Sequence, residues 1–324
     1  MKKSKFSIIV VYQKKNKFAE ECIEHCLKLD CPSFEIIAIS NENDNWDKRV
    51  KIHAVGDIPP SEKRDIGAKI AKGEILAFID DDAYPKKDWL KKAEKYFGSE
   101  EVAAIGGPGV TPHSDNILQK AGGYIYSSWF GASPSMRYRY IQSKEREVDD
   151  YATCNFIVRK NIFKKIGGFD TKYWPGEDTK FCLDLTKKLN KKIIYAPDVV
   201  VYHHRRPLFR KHLKQIKSYG MHRGLFAKKF PETSFRLVYF LPSLFVLGLV
   251  FGWVSYFMHP FLFKAYAVVV SLYFLTIFIN SVFSKNVMLI PFVFTGTFLT
   301  HLWYGIAFIH GILNKDLSRV RRIL

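Results

Sequence analysis

The chain has 324 residues, of which 48% are apolar, and a formal net charge of +19. This length supports one large domain or two ordinary ones, and the apolar share is enough for a buried core, which excludes a disordered chain. Short apolar runs alternate with charged stretches up to residue 230, and nearly continuous apolar sequence follows. We therefore expect two parts, residues 1–230 and 231–324.

The first part alternates short β-branched runs with helical patterns. In chain order we predict a strand over 6–12, a helix over 17–29, a strand over 34–40, a strand near 51–55, a helix over 61–71 and a strand over 74–79. This alternation indicates an α/β fold with a doubly wound, mainly parallel sheet. Ligands of such sheets bind beyond the carboxyl ends of the strands, so the residues after each strand are candidates for a site.

Three consecutive aspartates, Asp80, Asp81 and Asp82, follow the last of these strands. Side chains at i and i+2 of an extended segment point the same way, so Asp80 and Asp82 can face one site. Two hard oxygen donors suit Mg²⁺ or Mn²⁺, and these ions keep open positions for the oxygens of a diphosphate. A solvated turn would have the same composition, so the triplet alone leaves both interpretations open.

Two later segments are predicted to be irregular. Residues 106–112 are rich in glycine and proline and should form a loop. Residues 127–150 are rich in tyrosine, arginine and serine, which fits a mobile loop at an acceptor site or a plain surface connection.

An acidic pair, Glu177 and Asp178, follows a Pro-Gly turn and opens a helix that has apolar residues at i, i+4 and i+8. Asp178 at this position is favourable for helix capping and for the helix dipole. It is also suited to act as a general base that takes a proton from an attacking hydroxyl. A strand-like stretch, residues 191–206, then ends on His203 and His204, which are candidates either for a metal ligand or for a phosphate-binding surface.

The order and spacing of these motifs resemble those of the family 2 glycosyltransferases, and in particular their membrane-attached bacterial members with a GT-A fold. The resemblance covers residues 6–230. It is carried by the apolar first strand and by Asp80-Asp81-Asp82, Asn155-Phe-Ile-Val-Arg-Lys160, Ile166-Gly-Gly-Phe-Asp170, Gly176-Glu-Asp178 and Val201-Tyr-His-His204.

The resemblance implies a role for each matching residue around a nucleotide-sugar. Asp80 is expected near the ribose, Asp82 on the metal that holds the diphosphate, and His203 beside that metal or diphosphate, with His204 still open for the same role. The basic residues Lys63 and Arg64, which open the helix before the acidic strand, are implied to lie near the nucleotide.

Further residues at the strand ends complete the implied donor site. Tyr12, at the end of the first strand, belongs to the implied nucleotide-binding residues. An Asp-Asp-Gly-Ser element that many members carry is replaced by residues 39–44 in this chain, where Glu42 or Asp44 is the expected substitute. UDP-, GDP- and dTDP-linked sugars all stay open as donors.

The implied chemistry is a single displacement. Asp178 matches the family's catalytic base, and Glu177 lies beside it toward the acceptor. The acceptor hydroxyl attacks the anomeric carbon opposite the nucleotide, which inverts that centre, while the metal takes up charge on the leaving diphosphate. Only a partial match, at residues 215–220, exists to the Gln-x-x-Arg-Trp motif of processive members, which favours the addition of one sugar.

Three segments of the second part, 237–258, 261–283 and 287–313, are long and apolar enough to cross a bilayer, which takes about 20 residues. Their apolar residues surround each helix, as expected for membrane spans and not for a buried hairpin in a soluble core. Few ionisable residues, chiefly Lys264 and His301, occur in these segments, which argues against a transporter.

Residues 204–230 contain nine lysines and arginines and no acid, directly before the first apolar segment. The positive-inside rule and anionic headgroups both favour this placement, so the predicted partner of the charge is the membrane surface and not nucleic acid. No apolar leader follows Met1, so we expect the catalytic part in the cytoplasm. Because Arg319, Arg321 and Arg322 make the C-terminus basic as well, either one segment is re-entrant or interfacial, or the rule is violated.

The sequence thus predicts a metal-dependent, inverting glycosyltransferase of the cytoplasmic membrane that acts in cell-surface polysaccharide assembly. The preferred acceptor is a lipid-linked glycan, such as an undecaprenyl-type diphosphate intermediate. Two alternatives remain, namely an enzyme that glycosylates polyprenyl phosphate itself and a non-catalytic subunit that binds nucleotide-sugars. The chain has five cysteines, an odd number, and they lack the paired CxxC spacing of a zinc site or a redox motif. We therefore expect them to be ordinary thiols.

Overall fold

The structure, a computed structural model, describes residues 5–131 and 136–316. Its strands are β1 Phe6–Val11, β2 Phe34–Ser40, β3 Val50–Ala54, β4 Ile75–Asp80, β5 Ala83–Pro85, β6 Val102–Gly106, β7 Gly109–Val110, β8 Arg146–Val148, β9 Asn155–Arg159, β10 Lys192–Tyr195 and β11 Val201–His203. Its α-helices are α1 Lys17–Leu27, α2 Pro60–Ile70, α3 Trp89–Glu94, α4 Ile117–Ser127, α5 Lys160–Ile166, α6 Glu177–Leu183, α7 Arg210–Lys229, α8 Pro231–Ser234, α9 Leu237–Phe251, α10 Ser255–Met258, α11 Pro260–Val282 and α12 Ile290–Leu313.

The chain divides into two compact units, each made of two chain segments. The first unit contains residues 1–110 and 141–204, and the second contains 111–140 and 205–324. The segment 111–140, which carries α4, therefore groups with the C-terminal helices. The functional boundary after residue 230 stays a prediction.

The first unit is built on an eight-stranded sheet in the order β3-β2-β1-β4-β9-β6-β10-β8. Strands β3, β2, β1 and β4 are mutually parallel, whereas β9 runs antiparallel to both β4 and β6. Strand β1 is buried along its whole length, since its β-branched residues lie inside a sheet covered on both faces. The expected α/β GT-A fold with a mainly parallel sheet is confirmed, and the strands of its first half match the predicted positions within two residues.

A second sheet of three short strands, in the order β5-β11-β7, lies at the end of β4. Its β5 follows Asp82 directly, and β11 pairs with β5 so that His203 lies opposite Ala83. Strand β7 pairs with β11, so the prediction that residues 106–112 are entirely loop is wrong. The predicted strand-like stretch over 191–206 is in fact two strands, β10 and β11, that belong to different sheets.

The second unit is helical, and three of its helical segments are apolar enough to cross a membrane by length and composition. These are Leu237–Met258, Pro260–Val282 and Val287–Leu313, within one residue of the predicted bounds. Their outer surfaces expose large apolar side chains, among them Leu237, Phe257, Phe261 and Val269. This pattern fits attachment to a membrane.

Helices α7 and α12 of the second unit pack closely along their lengths. A Cβ on Gly224 would lie 2.1 Å from the carbonyl oxygen of Phe308, and one on Gly311 would lie 2.1 Å from that of Met221. The backbones therefore touch where no side chain fits, as in glycine-mediated helix pairs.

Candidate active site

The carboxyl ends of β1, β2 and β4 bring four of the predicted site residues, Tyr12, Glu42, Asp80 and Asp82, to one edge of the large sheet. Because these strands are parallel and adjacent, Tyr12, Asn41 and Asp81 follow them at the same edge. Lys63 of α2 links two of these strand ends, since its ammonium donates to the carbonyl oxygen of Tyr12 (2.8 Å) and to Oδ1 of Asn41. Burial lowers the pKa of Lys63.

Tyr12 is almost fully buried, and its hydroxyl accepts a hydrogen bond of 2.8 Å from the indole of Trp46. Burial raises the pKa of Tyr12 to about 12, so its hydroxyl remains a neutral group at physiological pH. Glu42, the predicted substitute on the nucleotide side, is exposed and forms an ion pair with Lys14 at 3.6 Å. Its carboxylate is therefore accessible at the end of β2.

Asp80, Asp82 and His203 meet in one cluster. One carboxylate oxygen of each aspartate and one ring nitrogen of His203 lie within 4.8 Å of one another. The small sheet explains this proximity, because the backbone N–H of His204 donates to the carbonyl oxygen of Asp82 at 2.9 Å and fixes β11 beside it. Two carboxylates and an imidazole with all three groups only partly buried form a donor set that fits Mn²⁺ or Mg²⁺.

The ring of His203 contacts Asp82, with 3.1 Å between Nε2 and the carboxylate oxygen. Burial lowers the pKa of His203, but the Asp82 carboxylate outweighs burial and raises it to about 10. A metal ligand must be a neutral imidazole, so cation binding at this cluster would release the proton.

His204 has a different environment from His203. Its Nε2 lies 2.8 Å from a carboxylate oxygen of Glu21 on α1, and its ring packs against Phe18 and Tyr84. These contacts direct it toward α1, whereas His203 lies in the cluster with the two aspartates.

The middle aspartate, Asp81, differs from its neighbours. Burial, assisted by the charges of Asp82 and Asp80, raises the pKa of Asp81 to about 7. The triplet therefore carries less negative charge at neutral pH than its three carboxylates suggest.

Arg64 joins the acidic triplet to the acidic pair of α6. Its guanidinium lies 2.7 Å from Asp80 and 3.2 Å from Glu177, and Arg64 is 7% exposed. Burial disfavours the guanidinium charge, but the charges of Asp80 and Glu177 outweigh this and raise the pKa of Arg64. Glu177 is also buried, and it accepts a hydrogen bond from the backbone N–H of Gly176.

Asp178 occupies the first turn of α6, next to Glu177. Its Oδ1 accepts a 2.7 Å hydrogen bond from the backbone N–H of Thr179, and the side chain is only partly buried. Asp178 is therefore a partly exposed carboxylate next to Glu177, which belongs to the Arg64 bridge.

Two residues that contact or adjoin the predicted site residues were not identified from the sequence. The thiol of Cys154 hydrogen-bonds the His203 ring, because Cys154 immediately precedes β9, and antiparallel β9 begins opposite the carboxyl end of β4. Asp65, next to Arg64, accepts a hydrogen bond from Phe169 and lines a cleft of 620 Å³. Burial raises the pKa of Asp65 to about 7. All five cysteines are free thiols, as predicted.

Comparison with known proteins places this geometry in a family. The family described as "Glycosyl transferase family group 2" matches residues 75–309, well over half of the chain. A curated relative from Methanococcus voltae, a dolichyl N-acetyl-alpha-D-glucosaminyl phosphate 3-beta-D-2,3-diacetamido-2,3-dideoxy-beta-D-glucuronosyltransferase, is 27% identical over 75% of this chain and 82% of its own length. The glucosyl-dolichyl phosphate glucuronosyltransferase of Haloferax volcanii is 23% identical over 61% of this chain and 69% of its own length.

Among solved structures, the mannosyltransferase PcManGT of Pyrobaculum calidifontis, in complex with GDP-Man and Mn²⁺, resembles this chain with a TM-score of 0.57. The similarity covers 97% of this chain and 88% of that protein at 16% identity, so it establishes the fold. The chain therefore belongs to the family 2 glycosyltransferases, as a nucleotide-sugar-dependent enzyme with a GT-A fold and three apolar C-terminal helices.

Proposed function

We propose that this protein is a metal-dependent, inverting glycosyltransferase that moves one sugar from a nucleotide-sugar to a lipid-linked sugar acceptor, with its catalytic unit facing the cytoplasm. The observation that carries this proposal is the buried Arg64 bridge, which links Asp80 of the metal-compatible cluster to Glu177 of the acidic pair. The bridge thereby connects the cluster that would hold the metal to the start of α6, where Asp178, the candidate base, follows Glu177.

Asp80, Asp82 and His203 are the residues that would hold the cation. When bound there, Mn²⁺ or Mg²⁺ would supply positive charge to the leaving diphosphate. We assign Tyr12, which follows β1, and Lys63 of α2, whose ammonium donates to the carbonyl oxygen of Tyr12, to the nucleotide side. The exposed carboxylate of Glu42 is available there as well.

Asp178 is the proposed base. Its partly exposed carboxylate is accessible to an acceptor hydroxyl, and the backbone hydrogen bond from Thr179 holds it at the start of α6. Glu177 acts differently, because its carboxylate is bound to Arg64 and to the backbone of Gly176. We assign Glu177 to positioning α6 and Asp178 to proton transfer in a single displacement that inverts the anomeric centre.

The printed names of the two curated relatives favour one class of acceptor. Both describe a sugar already attached to dolichyl phosphate as the acceptor and a glucuronosyl-type sugar as the group transferred. We therefore place a lipid phosphate that already carries a sugar ahead of bare polyprenyl phosphate.

The test is nucleotide release by the detergent-purified protein from a panel of UDP-, GDP- and dTDP-sugars, with Mn²⁺, Mg²⁺ or EDTA. Polyprenyl phosphate with and without an attached sugar is supplied as acceptor. We expect release with the sugar-bearing lipid, loss of release in EDTA, and a loss of about 10²–10⁴-fold in Asp178→Asn.

Asp88→Asn is the matched control, since Asp88 is another partly buried carboxylate at the start of a helix and is paired with Lys92 at 2.9 Å. Equal activity in EDTA would contradict the metal requirement. A preference for bare polyprenyl phosphate would support the alternative acceptor. Donor binding with no turnover on any acceptor would support a non-catalytic subunit.

A further inference from the structure

The direction of α12 within the second unit bears on how the protein lies in the membrane. We define the hairpin as α9, α10 and α11, in which α9 and α10 form one arm and α11 forms the other. Its two arms pack antiparallel, as shown by the rings of Phe245 and Tyr273 with centroids 4.1 Å apart and those of Tyr256 and Phe263 with centroids 5.2 Å apart. The arms meet at the short connection around His259.

Helix α12 contacts the arm formed by α11 through its first half. Phe294 packs against Phe274 and Phe278, and His301 hydrogen-bonds the hydroxyl of Tyr273 at 3.0 Å. On α11 these contacts span only Tyr273 to Phe278.

The contacts of α12 with the arm formed by α9 come later along α12. Gly305 accepts a 3.0 Å hydrogen bond from Ser243, and Phe308 packs against Phe240 at 4.8 Å. Phe298, which lies among the residues that contact α11, packs against Phe245 of α9 as well as against Phe274 of α11.

These positions fix the course of α12. From 294 to 308 the helix advances about 21 Å at 1.5 Å per residue, yet its contacts remain within two turns of each arm. The midpoint of the contacts with α9 (residues 298–308) lies about 8 Å further along α12 than the midpoint of the contacts with α11 (residues 294–301), close to the 8–10 Å spacing of neighbouring helices. Helix α12 therefore runs across the hairpin instead of along either arm.

Helix α7 runs parallel to the second half of α12. His212 hydrogen-bonds Thr300 at 2.9 Å, Gly224 touches Phe308, and the ammonium of Lys228 donates to the carbonyl oxygen of Ile312 at 2.8 Å. The residue numbers of the two helices thus advance together. The paired helices expose cations on α7, namely Arg210, Lys211, Lys214, Lys228 and Lys229.

We infer that α12 does not cross the bilayer, and that α7 and α12 lie together in the headgroup layer of a lipid membrane while the hairpin enters the hydrocarbon. The hairpin arms are apolar all round, which requires hydrocarbon contact. Elements that run across the hairpin then follow the membrane plane.

The charge on α7 supports this placement. If α12 crossed the bilayer, α7 would be carried alongside it and would bring its exposed cations into hydrocarbon, where charges are expensive. In the headgroup layer the same cations meet anionic lipid phosphates.

The surface of α12 supports the same placement. The exposed side chains of Trp303, Ile306 and Leu313 recur at helical spacing, and the partly exposed Leu299 extends them into one apolar stripe. The exposed His310 lies within this stripe and adds a polar group to it. Interfacial helices bury an apolar stripe of this kind at the boundary between the headgroups and the acyl chains. Trp303, near the middle of the helix, is a residue type that prefers the membrane interface.

The consequence is that α12 begins and ends on the same side of the membrane. The chain then returns to the side of α7, which follows the catalytic unit after a few residues. This arrangement reconciles the basic C-terminus with the positive-inside rule without requiring a third crossing.

Paired cysteines on either side of α12 test the inference. Lys285 and Lys315 are exposed and flank the helix. The variants Lys285→Cys and Lys315→Cys are expressed separately. Intact cells and inverted vesicles that contain each variant are treated with a membrane-impermeant maleimide. The labelling of the unsubstituted chain is subtracted to correct for the native cysteines. Labelling after solubilisation in detergent gives the maximum extent of labelling at each position.

We expect both introduced thiols to be labelled from the same membrane face, to the same extent relative to their detergent values. Labelling from opposite faces would overturn the inference.

A depth measurement gives an independent result. The fluorescence of Trp303 is obtained as the difference between the parent and the Trp303→Phe variant, in vesicles that contain lipids brominated at defined depths. This fluorescence should be quenched more strongly by bromines near the headgroup than by bromines near the end of the acyl chain. Stronger quenching from the chain end would place the middle of α12 at the bilayer centre, as in a spanning helix, and would also overturn the inference.

Discussion

Replacing Arg64 with methionine should strongly destabilise the catalytic unit. The guanidinium compensates two carboxylates, Asp80 at 2.7 Å and Glu177 at 3.2 Å. The side chains of Arg64 and Glu177 are only 8% and 6% exposed, so water cannot replace the lost contacts. Methionine keeps most of the length and the apolar stem but leaves the carboxylate of Glu177 buried without its cation.

The magnitude follows from the burial of the bridge. Removing one partner of a buried ion pair costs about 3–5 kcal/mol, because the remaining charge stays uncompensated. For a unit of this size, each kcal/mol lowers Tm by about 2–4 °C, so we expect Arg64→Met to unfold about 6–20 °C below the parent. Thermal unfolding in detergent, followed by intrinsic fluorescence, measures this difference.

Two further variants test the reasoning. In Arg49→Met the lost ion pair, with Asp47, is largely exposed, so this variant should unfold like the parent. In the double variant Arg64→Met/Glu177→Gln the uncompensated charge is gone, and part of the lost stability should return. If Arg64→Met matched Arg49→Met, or if the double variant were no more stable than Arg64→Met, the bridge would not contribute as argued.

Three other outcomes are expected. Because burial raises the pKa of Asp65 to about 7, the folded chain holds this proton more tightly than the unfolded chain, and stability is lost as pH rises from about 4 to about 7. Asp65→Asn should therefore raise Tm at about pH 8 but not at about pH 4, and the same gain at both would contradict the argument. Gly224→Ala should destabilise the helical unit by about 1–3 kcal/mol, since its new Cβ meets a backbone oxygen. Gly248→Ala, which meets nothing within 4 Å, should not, and equal unfolding temperatures would refute the close packing. His203→Ala should weaken Mn²⁺ binding, as measured by calorimetry, and unchanged affinity would remove His203 from the proposed ligands.

The sequence predicted those features that depend on local pattern. The strands β1, β2 and β4 are short apolar runs with β-branched residues, and the position of Asp80 and Asp82 at a strand end follows from that pattern. The order of motifs along the chain was sufficient to suggest that His203 lies near the aspartates, and the two groups do meet.

The features that could not be predicted depend on contacts between distant segments. Arg64 and Glu177 are 113 positions apart, so no local pattern relates them. Residues 106–112 have a loop composition, but Gly109 and Val110 pair with β11, a strand that is distant in the chain and that local composition does not identify as a partner. Hydropathy identified α12 as apolar, yet its direction is set by the glycine contacts with α7 and by the rings of the hairpin, which hydropathy does not report.

The inserted segment that carries α4 determines how a soluble fragment of this enzyme would have to be designed. Ala121 and Ile125 of α4 are fully buried against Leu289 and Val293 of the C-terminal helices. Cutting the chain before α9 would leave this apolar face exposed to water, and the fragment would be prone to aggregate even with its catalytic sheet intact. A soluble catalytic fragment would therefore need two cuts, one that removes the C-terminal helices and one that replaces residues 111–140 with a short linker.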